Sequence, residues 1–167
     1  MGVLVEEVRV WNTPIFGAYL LWAFTRSYRS NHPEGEAPIG ILHFFAYAIL
    51  MNPRYADRIS GKRKDLQSFV RGFNDNREMD LLVGIHDVVK AHRASTMQAI
   101  DIAVAQGLLV WDDDTGRIYA HEDIPRAKPG RSLREYTKRL GNKAEVLGKW
   151  FSEHDVPTIA GYLKVVL

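Results

Sequence analysis

The chain has 167 residues, of which 46% are hydrophobic and 25% charged, values typical of a globular protein that forms one compact domain or two very small ones. Its net charge of +2 does not by itself indicate a nucleic-acid or membrane partner. The absence of cysteine excludes disulfides, cysteine-ligated zinc and thiol catalysis. Glu6 and Glu7 argue against a signal peptide, so we expect a cytoplasmic protein.

Two apolar segments dominate the first part of the chain, residues 1–60, and predict buried helices. The first covers residues 14–28 and begins with a proline, and the second begins at Pro38 and ends near Asn52. Because each is apolar nearly all round, protein should surround it. Both are shorter than the roughly 20 apolar residues that span a bilayer, so we expect no membrane partner.

Residues 61–124 have the pattern of a winged helix-turn-helix. Helices are predicted at 62–73, 79–91 and 95–106, followed by short strands at 108–111 and 117–120. Ser95 and Gln98 have the spacing of a capping box at the start of the last helix. Gly107 is placed to end that helix in a left-handed conformation, and the strands are joined by a turn at 112–116.

The last part, residues 125–167, begins as a basic connector and continues as a long helix. Ser132 is a suitable N-cap, with Glu135 at the third position. The hydrophobic tail at 159–167 alternates enough to act as a strand that adds to a sheet edge of this domain or of a partner. The predicted class is therefore mainly α (α+β): a helical N-terminal part, a winged-helix-like unit with a small β-hairpin, and a long C-terminal helix. We expect the three parts to form one compact domain.

The winged-helix pattern suggests a DNA reader, but its charges do not. The predicted recognition helix has no Lys or Arg between Ser95 and Gln106, and the aspartates of the wing would repel phosphates. Basic residues cluster elsewhere, and a solvated surface explains them as well as DNA binding does. A winged-helix DNA-binding regulator therefore stays open as an alternative. The possible phosphate contacts are Lys62, Arg63, Lys64, Arg131, Arg134, Lys138 and Arg139.

Catalytic patterns are weak throughout the sequence. There is no glycine-rich phosphate loop and no G-x-S-x-G motif. His86 and His92 are six residues apart, which places them on opposite sides of a helix, so they cannot share a metal ion. We expect a protein that is not an enzyme and that holds no cofactor or metal.

The tryptophans favour a protein interface. There are four, and Trp22 falls in a predicted buried helix, whereas Trp111 lies on the wing beside three aspartates and is harder to bury. Tryptophan with a charged rim is typical of protein-binding surfaces. The candidate partner-docking residues are Trp111, Asp112, Asp113, Asp114, Trp150 and Phe151.

Three sequence blocks resemble the middle components of bacterial three-component ABC systems. The most specific begins at Lys143 and reads K-A-E-V-L-G-K-W-F-S-E-H-D-V-P-T-I, which is similar to that family's closing block. The second begins at Asn12 and reads N-T-P-I-F-G-A-Y-L-L. The third is the apolar block at 39–50 with the basic segment at 58–66.

This resemblance implies a function as well as a family. Such middle components stand between an SMC- or Rad50-like ATPase and an effector, which in Lamassu-type anti-phage defence is often a nuclease. The resemblance therefore implies a non-catalytic adaptor subunit with an ATPase partner and an effector partner. Any DNA contact would be weak or indirect.

Overall fold

The structure, a computed structural model, describes residues 14–122 and 135–167. It confirms a mainly helical fold with one small antiparallel hairpin and a long helix near the C-terminus. In chain order the elements are α1 (Pro14–Asn31), α2 (Gly40–Leu50), α3 (Pro53–Ala56), α4 (Leu66–Asp75), α5 (Met79–Val83), α6 (Ile85–Ala91), α7 (Arg93–Ala105), β1 (Leu109–Asp112), β2 (Arg117–Ala120), α8 (Glu135–Ser152) and α9 (Val156–Leu163).

The packing of α1 on α8 is the most extensive contact between two helices of the described chain. The two backbones approach closely at Gly148, where an added Cβ would lie 2.4 Å from the carbonyl oxygen of Phe24. One turn along, the ring of Phe24 meets that of Phe151 edge to face at 5.5 Å. Only glycine fits at position 148, so the sequence of α8 sets how near α1 can lie.

One hydrophobic core joins the three predicted parts of the chain. It includes Phe24 from the first part, Phe73 from the second and Trp150 from the third. The rings of Phe69 and Trp150 lie 5.8 Å apart and connect α4 to α8. Helix α2 is buried along most of its length, as its apolar sequence predicts.

Helix α4 begins four residues later than the sequence pattern predicts. The side chain of Asp65 accepts the backbone N–H of Ser68 at 2.7 Å and caps the helix at Leu66. The predicted start at Lys62 is therefore wrong. The basic residues at 62–64 belong to the loop that leads into the helix.

The segment predicted as two helices at 79–91 and 95–106 is arranged differently. The first is divided at Gly84 into α5 and α6, and only His92 separates α6 from α7. The predicted N-cap at Ser95 is wrong, because α7 already begins at Arg93 and the carbonyl oxygen of His92 accepts both the backbone N–H and the hydroxyl of Thr96. The expected turn of the helix-turn-helix is thus reduced to one residue.

The end of α7 agrees with the prediction. Gly107 has a φ of 72°, and the N–H of Leu108 donates to the carbonyl oxygen of Ala103 at 2.8 Å. This is the hydrogen bond of a Schellman motif, which ends a helix and turns the chain sharply. Glycine at this position therefore directs the chain from α7 into β1.

The hydrophobic tail is helical as far as Leu163, so the predicted strand is wrong. Asp155 accepts the N–H of Thr158 at 2.9 Å and caps α9, and Pro157 lies in the first turn, where a missing N–H costs nothing. The helix ends at Lys164 in the left-handed conformation. Within the described residues, no helix is long and apolar enough to cross a membrane.

Candidate partner-binding surface

The hairpin is fixed to the loop that precedes α2. The N–H of Gly40 donates to the carbonyl oxygen of Gly116 at 2.9 Å, and the N–H of Ile118 donates to Pro38 at 3.0 Å. Arg117 adds an ion pair with Glu36 at 2.7 Å. The outer edge of β2 is therefore occupied, and the turn between the strands is held in a defined position relative to the core.

Trp111 is half-buried on the inner side of this hairpin. It faces Ile118 in the β1–β2 register, and its indole lies over the start of α2. A Cβ added at Gly40 would be 3.3 Å from the edge of that ring. The indole is thus partly used for packing, and the rest of its surface faces solvent beside the aspartates.

The three aspartates of the turn are not equivalent. Asp112 accepts the hydroxyl of Thr115 at 2.7 Å and the N–H of Asp114 at 3.1 Å. These hydrogen bonds hold the pKa of Asp112 below its usual value, and the bond from the Thr115 hydroxyl has the largest effect. Asp113 and Asp114 are exposed and form no ion pair with any described residue. They are the carboxylates that a partner can reach.

Trp150 and Phe151 lie in the core and not on the surface. Their exposed fractions are 1% and 0%. Neither side chain can touch a partner in this conformation. Any part that they have in docking is indirect support of the surface above them.

The basic residues predicted as phosphate contacts have unequal surroundings. Lys62 and Lys64 are exposed, as are Lys138 and Arg139 on α8. Arg63 is half-buried, and its guanidinium lies over Gly72 and donates to the carbonyl oxygen of Ser68 at 2.8 Å. It therefore holds the loop against α4. Arg131 and Arg134 lie outside the described residues.

The exposed side of α7 has no cation after its first residue. Met97, Gln98, Asp101 and Val104 are exposed there. This composition does not suit a helix lying against phosphates. It agrees with the charge pattern in the sequence.

Two features of the described chain were not indicated by the sequence patterns. The first is His43, which is fully buried in α2; burial lowers its pKa to about 4. The hydroxyl of Thr25 donates to Leu21 at 2.7 Å and so accepts the Nε2 proton of His43 at 2.8 Å. A lone histidine in an otherwise apolar segment was the available signal. Its role here is structural.

The second feature is an apolar groove between α2, α6 and the residues after α9. Lys90 and Arg93 are part of its lining. Neither residue was singled out by a motif, because the walls of the groove come from three separate segments. In the described parts of the chain, no group of three His, Asp or Glu side chains could hold a metal ion.

The fold defines a small, mainly helical protein that carries an anchored acidic turn and an apolar groove on its surface. The chain matches the family described as ABC-three component (ABC-3C) system Middle Component 3 over residues 1–167, and it belongs to that family. The resemblance to the middle components is thereby confirmed. No curated protein and no solved structure matches the chain.

Proposed function

We propose that the chain is a non-catalytic, cytoplasmic adaptor subunit of an anti-phage defence complex of the Lamassu type. It bridges an SMC- or Rad50-like ATPase to an effector nuclease and restrains the effector until foreign DNA is sensed. Membership of the middle-component family over the whole length carries this proposal. A middle component of a three-component system works with other protein subunits.

The hairpin supports a docking role. Its turn is held by backbone hydrogen bonds to the loop before α2, and it presents Asp113 and Asp114 to solvent. A rigid, charged projection loses little conformational entropy when it binds, which favours specific association. Trp111 beside it offers aromatic surface of the kind common in binding hot spots.

Co-expression with the ATPase and effector encoded beside this gene tests the adaptor role. We expect the three proteins to elute together in size-exclusion chromatography at micromolar concentration, and the effector to be less active in the complex than alone. Separate elution of the three wild-type proteins would contradict the adaptor role.

Charge reversal then tests the hairpin. The double variant Asp113→Lys and Asp114→Lys should weaken association with one partner at least tenfold while the Tm stays within a few degrees, because both side chains are exposed. The matched control reverses Asp75 and Asp101, which are exposed elsewhere. If the hairpin double variant binds as tightly as the control double variant, the hairpin is not part of the interface.

The DNA-binding alternative has its own signature. An isolated winged-helix regulator would bind duplex DNA at nanomolar concentration, with affinity that falls steeply as salt rises. The double variant Lys138→Glu and Arg139→Glu would abolish that binding. Such a result with the isolated chain would favour the regulator over the adaptor.

A further inference from the structure

The apolar groove has a volume of about 260 Å³. Its apolar walls come from α2, from α6 and from the residues that follow α9, so they bring together three distant parts of the sequence. The volume is below the roughly 300–1,000 Å³ usual for small-molecule sites, but it suits one or two anchoring side chains of a bound peptide. Its apolar lining includes Ile41, Phe44, Val89, Val165, Val166 and Leu167.

Large hydrophobic side chains of this groove are open to solvent. The exposed fraction is 37% for Ile41, 77% for Val166 and 64% for Leu167. Single exposed hydrophobic residues are common, but a contiguous group that lines a concave surface is typical of a binding site.

The geometry of the third wall is set by α9. The left-handed residue Lys164 ends that helix and turns the chain, and the N–H of Val165 donates to the carbonyl oxygen of Ala160 at 2.9 Å. The N–H of Val166 then donates to Nδ1 of His86 at 3.3 Å. These bonds hold the residues after α9 against α6, so the groove is already formed in the free protein.

The charged side chains of the lining have one sign. Lys90 and Arg93 belong to the lining, and no acidic side chain does. Neither cation forms an ion pair with a described residue, not even with the nearby Asp87, whereas Arg26, Arg58 and Arg117 each pair with a glutamate. An occupant that places carboxylates beside these two cations would be bound more tightly and in one orientation.

We propose that this groove binds an amphipathic helix of another subunit of the complex, with apolar side chains in the groove and carboxylates against Lys90 and Arg93. This inference rests on the proposed adaptor function and specifies the chemistry of one partner segment. A helix suits the groove because apolar residues spaced at i, i+3 and i+4 project from one face, with acidic residues beside them.

The test uses the complex of full-length subunits obtained by co-expression. The double variant Lys90→Glu and Arg93→Glu should weaken the binding of one subunit at least tenfold, and raising the salt concentration should weaken binding of the wild-type chain but not of the variant. Replacing the exposed Ile41 and Leu167 by serine should weaken the binding of the same subunit. The matched control reverses Arg54 and Arg71, which are exposed outside the groove, and should bind within twofold of wild type.

Hydrogen exchange locates the contact. In the complex, backbone amides of α6 and of the residues after α9 should exchange more slowly, as should a helical segment of the partner that combines apolar and acidic residues. If the wild-type chain joins the complex and both groove variants bind as tightly as wild type, the groove proposal is overturned and the adaptor function stands. If the wild-type chain joins no complex, both fail.

A second copy of this chain is the alternative occupant of the groove. If analytical ultracentrifugation shows the isolated wild-type chain as a dimer and the groove variants as monomers, the groove is an interface between two copies and the proposal is overturned. The proposal is supported if the isolated wild-type chain is a monomer and the charge-reversed variant no longer binds the partner subunit.

Discussion

The contact between α1 and α8 and the surface around the start of α2 show opposite uses of the same residue types. In the first, Trp150 and Phe151 are enclosed, and Gly148 lets the two helices meet at backbone distance. In the second, Trp111 is half-exposed, Ile41 lines an open groove, and Lys90 and Arg93 form no ion pair with a described residue.

The difference separates the block that resembles the family from the candidate binding surface. The L-G-K-W-F block of α8 is the most specific resemblance in the sequence, yet its aromatic residues lie inside the protein. It reports how the fold is held together. The candidate docking residues that reach the surface, Trp111, Asp113 and Asp114, lie outside this block. We therefore expect partner choice to depend on residues that it does not contain.

The strongest test of this difference between core and surface is to replace one tryptophan in each region by alanine. Trp150→Ala should lower the free energy of unfolding by about 4 kcal/mol, because a fully buried indole leaves a cavity. Trp111→Ala should cost about 1 kcal/mol, since much of its side chain is already in water. Urea denaturation measures both losses. At a temperature where both variants are folded, partner affinity should fall for Trp111→Ala alone. A loss of affinity for Trp150→Ala but not for Trp111→Ala would contradict the division between core and surface.

The buried histidine gives the core a pH dependence of its own. The pKa of His43 is about 4 in the folded protein, below its usual 6.5, so between these values the unfolded chain binds the proton more readily. Stability should therefore be lost as pH falls from about 6.5 to about 4, by about 3 kcal/mol in all. Burial also lowers the pKa of His92, which adds a loss of the same sign.

Denaturation at pH 7 and pH 4.5 measures this loss, and NMR titration of the imidazole resonances assigns it. His43→Asn should be less stable at pH 7 but should show a shallower fall with acid. The control His121→Asn, at an exposed position, should follow the wild type. An ordinary pKa for His43 would show that the site is open to water.

The smallest expected effect sharpens the description of the hairpin. Gly116 has a φ of 69°, and nothing lies within 4 Å of where its Cβ would be, so any penalty of substitution is one of backbone conformation alone. Gly116→Ala should cost about 1 kcal/mol, and Gly116→Asn less, because asparagine tolerates the left-handed region. Thermal unfolding followed by tryptophan fluorescence compares them. Equal loss in both variants would show that the turn is more tightly packed than its surroundings suggest.

Much of the fold was predictable because local signals agreed with the final packing. The apolar sequences of α1 and α2, the glycine after α7 and the turn chemistry of the hairpin all led to the observed elements. Errors arose where two signals competed. Ser95 has the spacing of a capping residue, but the preceding carbonyl oxygen of His92 already starts the helix, and the alternating tail was predicted as a strand although Asp155 and Pro157 begin a helix.

The candidate site was only partly predictable for a related reason. The acidic turn is local, so its exposure could be inferred from the sequence alone. The groove depends on Ile41, Lys90 and Val166 meeting from separate segments, and no periodicity connects them. The chemical type of Trp150 predicts a docking residue, and only the packing of α4 on α8 shows that it is enclosed.

The pairing of the first described helix with one near the far end of the chain also bears on biosynthesis. Arg26 and its partner Glu145 are 119 positions apart, so α1 leaves the ribosome long before α8 is made. At about 5–20 residues per second, α1 waits several seconds or more with its apolar surface uncovered. We expect nascent chains stalled before residue 135 to be bound by chaperones or degraded, so that the protein can reach any partner only after α8 has closed the core.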